Sequence, residues 1–154
     1  MEESLEDAKD ELKRVDHLVF VSLKYTRTVD VIRNTVERMI SAFEAGVEAV
    51  LKYAREKKKI KEIPAMPGLK CELLQKVFSG NKELADYLDF YLLLRKIIRS
   101  RYAKREEYRR HVTMISTLDD GEVKEIDIDT LREYYEKGKS FLKFIENMIL
   151  GEND

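Results

Sequence analysis

Residues 95–111, RKIIRSRYAKREEYRRH, gather basic and aromatic side chains and end on one of the chain's two histidines. Such side chains suit a polyanion: cations neutralise phosphates, tyrosine rings offer faces for bases, and an imidazole can move a proton near neutral pH. Arg95, Lys96, Arg99, Arg101, Lys104, Arg105, Arg109 and Arg110 stand against only Glu106 and Glu107, an excess of six positive charges in a chain of formal net charge -1. The remainder of the chain is therefore acidic, and the charge is segregated. Arg101, Arg109 and Arg110 are the expected phosphate contacts, with Tyr102 and Tyr108 as the expected stacking platforms. The plainer alternatives are a solvated face whose cations pair with Glu106 and Glu107, and tyrosines packed at the rim of a core.

Other chemistry finds little support. The sequence has no GxGxxG, no GxxxxGK followed by Ser or Thr, no HExxH and no CxxC, so the usual dinucleotide, P-loop and zinc signatures are missing. Glu107 precedes His111 by four residues, a spacing at which both could reach one metal ion on a helix, but no second motif supplies further ligands. Neither a metal nor a cofactor is expected. His17, beside Asp16 and followed by Leu18, Val19 and Phe20, reads as a helix-surface residue. Cys71 is the only cysteine, which rules out an internal disulfide. Its place after Lys70 and a Pro-Gly turn reads as a small buried apolar side chain in preference to a reactive thiol.

The elements that must position the basic segment follow from apolar periodicity. Leu5, Ala8, Leu12, Val15, Val19 and Ser22 follow three- and four-residue spacings, and Val29, Ile32, Val36, Met39, Phe43, Gly46 and Val50 repeat the pattern. Ile128, Leu131, Tyr135, Gly138, Leu142, Ile145 and Ile149 do so again after Asp127 or Asp129, either of which suits an N-cap. Each set is the stripe of an amphipathic helix. A further helix starts at Asn81 or Gly80, aligns Leu84, Leu88, Tyr91 and Ile98, and is expected to run past Arg110, leaving His111 near its negative C-terminal end. Pro64, Pro67 and Gly68 break the chain before a short two-turn helix over residues 69–78. Within residues 117–129, the Asp120-Gly121 turn and alternating Val123, Ile126 and Ile128 allow a minor hairpin, too small to found a sheet. The expected fold is all-α, an up-and-down bundle of four principal helices with one additional short helix.

At 154 residues, with 44% hydrophobic and 38% charged content, a single domain over 1-154 is expected. Gln75 is the only glutamine and asparagine is scarce, which resembles the composition of heat-adapted proteins. The start MEESLEDAKD is acidic where a secretory signal is basic and then apolar. The apolar run at residues 90–94 falls far short of the roughly 20 residues that cross a bilayer. No membrane association is expected, and the expected compartment is the cytoplasm.

Arg105, the five residues EEYRR and His111 sit in a chain with an early helical pair ending in FEAGVEAVLKYAREKKK, a proline-containing connection and a last helix DTLREYYEKGKSFLKFIENMI. In motif, order and length nearly the whole chain resembles the HEPN superfamily, small helical prokaryotic domains that carry an Arg, four to six residues and a His. The resemblance implies a homodimer that brings Arg105 and His111 to a cleft between the two copies. There imidazole would act as general acid or base on a 2′-hydroxyl of single-stranded RNA, with guanidinium stabilising the phosphate and no metal required. It also implies a toxin or defence setting, with an antitoxin or a nucleotidyltransferase as partner. Glu106 departs from the Asn, Asp or His often found after the motif Arg, which bears on ribonuclease activity more than on fold. On an unbroken helix, Arg105 and His111 would stand roughly 120° apart in azimuth and about 9 Å apart along the axis, so joint catalysis requires a break. The reading from a different class is a non-catalytic homodimeric helical module for protein interaction.

Overall fold

Each apolar stripe becomes a helix that buries one face against the others. A computed structural model describes residues 1–151. The chain runs through α1 (Glu2–His17), a π-helical turn (Leu18–Ser22), α2 (Leu23–Tyr25), α3 (Val29–Glu56), α4 (Pro67–Val77) and α5 (Lys82–Arg99). It then forms β1 (Arg101–Arg105), β2 (Thr113–Thr117) and β3 (Val123–Ile126) before closing with α6 (Ile128–Gly151). Thr28 Oγ1 accepts from the Val31 N–H at 3.3 Å to start α3, and Asn81 Oδ1 accepts from the Leu84 N–H at 3.0 Å to start α5. Asp127 starts α6 by accepting from the Thr130 N–H at 2.8 Å. Each cap satisfies a donor that the helix itself leaves without an acceptor. Pro67 opens α4, which makes three turns over 11 residues where two were expected.

α3 is the central helix, packed on α1, α5 and α6. Phe43 of α3 stacks on Phe141 of α6 at 4.7 Å between ring centroids and meets Phe90 of α5 edge-on at 5.4 Å. Gly46 makes that stack possible, because a Cβ there would lie 2.6 Å from the Phe141 ring and 2.9 Å from Ile145 Cδ1. Cys71 is buried, and desolvation pushes its thiol up to about 11. No helix among the described residues is long and apolar enough to cross a membrane.

A three-stranded antiparallel sheet, ordered β1-β2-β3, corrects the all-α expectation. α5 stops at Arg99 instead of running past Arg110. Ser100 turns the chain into extended backbone (φ -75°, ψ 162°), donates from Oγ to the Ile97 carbonyl at 2.7 Å and shares a hydrogen bond with Ser116 of β2. Arg101 then faces Thr117 and Arg105 faces Thr113 across the β1–β2 ladder, while Met114 faces Ile126 across β2–β3.

The driving element is β2. Val112, Met114, Ser116 and Leu118 alternate inward and are buried, with β2 lying against α3. A strand buried this deeply needs partners for its backbone N–H and C=O groups on both edges. β1 and β3 supply them, which overrides the helix-forming tendency of Arg, Lys and Ala in RYAKR. Of the minor strand or hairpin expected within residues 117–129, the turn and β3 are present, while its partner strand β2 lies earlier, at Thr113–Thr117.

Candidate functional site

β1 is an edge strand with all five residues exposed. Tyr102 and Lys104 share one face with their partners Ser116 and Met114, and Arg101, Ala103 and Arg105 share the other. The Tyr102 ring lies 4.5 Å from the Arg33 guanidinium of α3, a cation–π contact that leaves the tyrosine 40% exposed. Lys104 reaches Asp30 at 3.5 Å and Glu107 at 3.6 Å, and the two carboxylates, Asp30 foremost, raise its pKa. On the other face Arg105 binds Glu125 of β3 at 2.5 Å.

Residues 106–112 connect β1 to β2 through an unfavourable backbone. Glu106 (φ 54°) and Tyr108 (φ 67°) both occupy the left-handed region, at a cost of about 1 to 3 kcal/mol each. Contacts with the start of α3 hold them there. Glu107 Oε2 accepts from the Val29 N–H at 2.9 Å, and the Tyr108 N–H donates to the Arg27 carbonyl at 2.6 Å. A carboxylate bound to the first N–H of a 28-residue helix also meets the positive end of the helix dipole. Glu107 therefore caps α3 and does not form the ligand pair considered with His111. The same anchoring exposes Arg109, Arg110 and His111 and leaves Tyr108 79% exposed.

His111 lies in this loop, not at a helix end. It lines a groove of about 360 Å³ with Arg27, Arg110, Asp127, Asp129 and Arg132. Asp127 is engaged in starting α6, and Asp129 pairs with Arg132 at 3.4 Å. Arg27 Nε is buried without a hydrogen-bond partner among the described residues. Arg101, Arg109 and Arg110 form no salt bridge among the described residues, whereas Lys104 and Arg105 beside them do.

The sequence-derived residues thus divide into two groups. The loop brings Arg110 and His111 together, with Tyr108 and Arg109 just before them in the chain; along β1, Tyr102 lies on the face that meets Arg33 and Arg101 on the face it shares with Arg105. Arg105 does not line the groove that holds His111; its guanidinium is tied to Glu125 of β3. The helix break that joint catalysis demanded is present, as α5 ends at Arg99.

Arg27 and Arg132 are the residues that sequence reasoning missed. Nothing in their local pattern links them to position 110, since only the fold brings the start of α3, the loop and α6 together. Among the described residues, no three His, Cys, Asp or Glu side chains gather closely enough to hold a metal ion. No family model matches the chain, and neither does any curated protein or solved structure.

Proposed function

We propose that this protein binds single-stranded RNA along the β1–β2 hairpin, with phosphates on Arg101, Arg109 and Arg110 and bases on Tyr108. The anchored loop carries the reading: two left-handed residues are held by bonds to α3 while the loop's cations and Tyr108 face water. Hairpin loops commonly use positive φ, and here the bonds to α3 fix that backbone and so preorganise the side chains it presents. Phosphate contacts give the affinity and stacking on an aromatic ring tolerates any base, so binding is weakly selective for sequence. A gel shift with a single-stranded RNA at about 50 mM salt tests this, at an ionic strength that favours phosphate contacts. Retarded RNA is the expected result, and free RNA at every protein concentration removes nucleic acid from the account.

Metal-independent cleavage, the reaction implied by the HEPN resemblance, is the finer form of this proposal. His111 supports it as an exposed imidazole beside Arg110. Within one chain Arg110 is the better placed guanidinium, and Arg105 joins only across a homodimer or after leaving Glu125. RNA incubated in EDTA with the wild type, His111→Ala and Arg105→Ala separates these cases. Loss of cleavage in both variants supports the Arg105–His111 pair, while loss in His111→Ala alone moves the phosphate role to Arg110. Intact RNA with a folded wild type leaves binding without cleavage.

The exposed Val21 and Tyr25, the latter 79% exposed, favour a second reading as a homodimeric interaction module. An antitoxin or nucleotidyltransferase would dock on such a surface. Light scattering of the wild type and Tyr25→Ala tests the self-association: a dimer that Tyr25→Ala weakens supports the module, and a monomeric wild type removes it.

A further inference from the structure

We infer that the groove between the hairpin loop and α6 is a site for a nucleoside phosphate monoester, its phosphate held by Arg27, Arg110 and Arg132 and its base against Phe20. The cavity that contains His111 adjoins a second one, also of about 360 Å³, and the two share Arg27, Ile128 and Arg132. Val19, Phe20, Leu23 and Lys24 complete the second cavity. Both halves are therefore cationic, and the second also holds the Phe20 ring. Each half lies within the roughly 300 to 1,000 Å³ typical of small-molecule pockets.

Charge selects the ligand. Lys24, Arg27, Arg110 and Arg132 supply four positive charges against the carboxylates of Asp127 and Asp129. Asp127 is already engaged by the Thr130 N–H and hydroxyl, and the Asp129 side chain is 85% exposed. The remaining charge of about two matches a phosphate monoester near neutral pH, which carries close to two negative charges, better than a chain diester with one. Arg27, common to both cavities, keeps a buried Nε–H without an acceptor among the described residues.

In the second half Phe20 offers a face to a flat ring. Phe20 is 43% exposed, braced edge-on by Tyr135 at 5.5 Å and flanked by the Arg132 guanidinium at 5.8 Å from its centroid. The Tyr135 hydroxyl in turn donates to Asp16 at 2.9 Å, which fixes the brace. Phe20 belongs to the π-helical turn Leu18–Ser22, and such turns recur where helices carry function. Arg132 therefore touches both halves, beside the phosphate position and beside the ring that receives the base.

Nucleoside monoesters reach such a site either as an RNA terminus or as a free mononucleotide, and the first case rests on the RNA reading above. The test compares RNA 12-mers bearing a 5′-phosphate, a 3′-phosphate or no terminal phosphate, together with AMP alone. We expect at least tenfold tighter binding of one phosphorylated oligonucleotide, with AMP shifting backbone amide resonances of residues 19–27 and 128–132. Arg27→Ala/Arg132→Ala should abolish the preference by weakening the phosphorylated RNA at least tenfold more than the unphosphorylated one, with circular dichroism confirming the fold. AMP shifts without any RNA binding would keep the site, assign it to a free nucleotide and remove the hairpin reading. Equal binding of all three oligonucleotides without AMP shifts overturns the site and leaves the hairpin reading standing. A preference that survives the double substitution also overturns it, and binding by neither RNA nor AMP overturns both.

Discussion

The groove between α1 and α3 and the groove beside the β1–β2 loop are both charged, and their charges are handled differently. The first, of about 520 Å³, is lined by Asp7, Asp10, Glu11, Glu44 and Glu48 with Arg14, Lys52 and Lys70 among them. Its cations are answered: Arg14 pairs with Glu11, Lys70 with Glu48 at 3.2 Å and Lys52 donates to Ser4 at 2.9 Å, while Arg95 from outside the groove pairs with Glu44 at 3.2 Å and Glu11 Oε2 is buried without a hydrogen bond among the described residues. In the second groove Arg110 has no ion-pair partner among the described residues, Arg27 keeps an unpaired buried Nε, and the loop backbone is strained. Charge density alone therefore does not mark a site. Cations held without partners on a backbone fixed in a costly conformation are the more informative signal.

If the helices serve stability and the hairpin serves binding, substitutions should separate the two properties. The largest effect on folding is expected from Phe43→Ala, which removes a ring buried between Phe90 and Phe141. Urea unfolding should show a loss of about 3 to 5 kcal/mol, with RNA affinity unchanged wherever the variant is folded. Tyr108→Ala should do the reverse, weakening RNA binding by about 1 to 3 kcal/mol if one base stacks there, with little change in the urea midpoint. A loss of stability from Tyr108→Ala as large as that from Phe43→Ala would erase the distinction.

Glu107 joins the two regions, so its substitution should affect both. Glu107→Ala removes the acceptor for the Val29 N–H and should cost about 1 kcal/mol of stability. It should also weaken RNA binding by releasing the loop, and a measurable loss of stability with unaltered affinity would show that the anchor does not shape the interface.

The smallest effect at neutral pH belongs to Cys71. Burial raises its thiol from 9.0 to about 11, so the folded state favours the protonated form. Both states are protonated below the ordinary thiol value, and stability is then unaffected. As pH rises from 9.0 towards about 11 the unfolded chain loses the proton first, and stability falls. Urea midpoints across that window should decline more steeply in the wild type than in Cys71→Val. Parallel declines would remove the thiol from the explanation.

The helices were readable because Ala8, Val15, Ile32, Met39 and Leu131 recur at helical spacing and are all buried, and because Asn81 and Asp127 are caps with a direct hydrogen-bonding reason. The sheet was not readable from local pattern. Its inward set Val112, Met114, Ser116 and Leu118 includes a buried serine, and its edge strand RYAKR holds no apolar alternation. Contact with α3 decides that segment, and such contact leaves no local trace. The cations and tyrosines of residues 101–111 were identified from composition, but their grouping was not. Arg105 is drawn to Glu125 by the β1–β2–β3 pairing, while Arg27 and Arg132 join His111 through the fold.

The central claim is that phosphates bind on the hairpin loop, and salt dependence tests it most directly. Anisotropy of a labelled single-stranded RNA should be titrated at about 50 and 200 mM salt with the wild type and Arg109→Ala/Arg110→Ala, since each phosphate contact contributes about 0.7 to the log–log slope. The account predicts weaker binding by the variant and a slope shallower by about 1.4. Identical slopes for a folded variant and the wild type would contradict it.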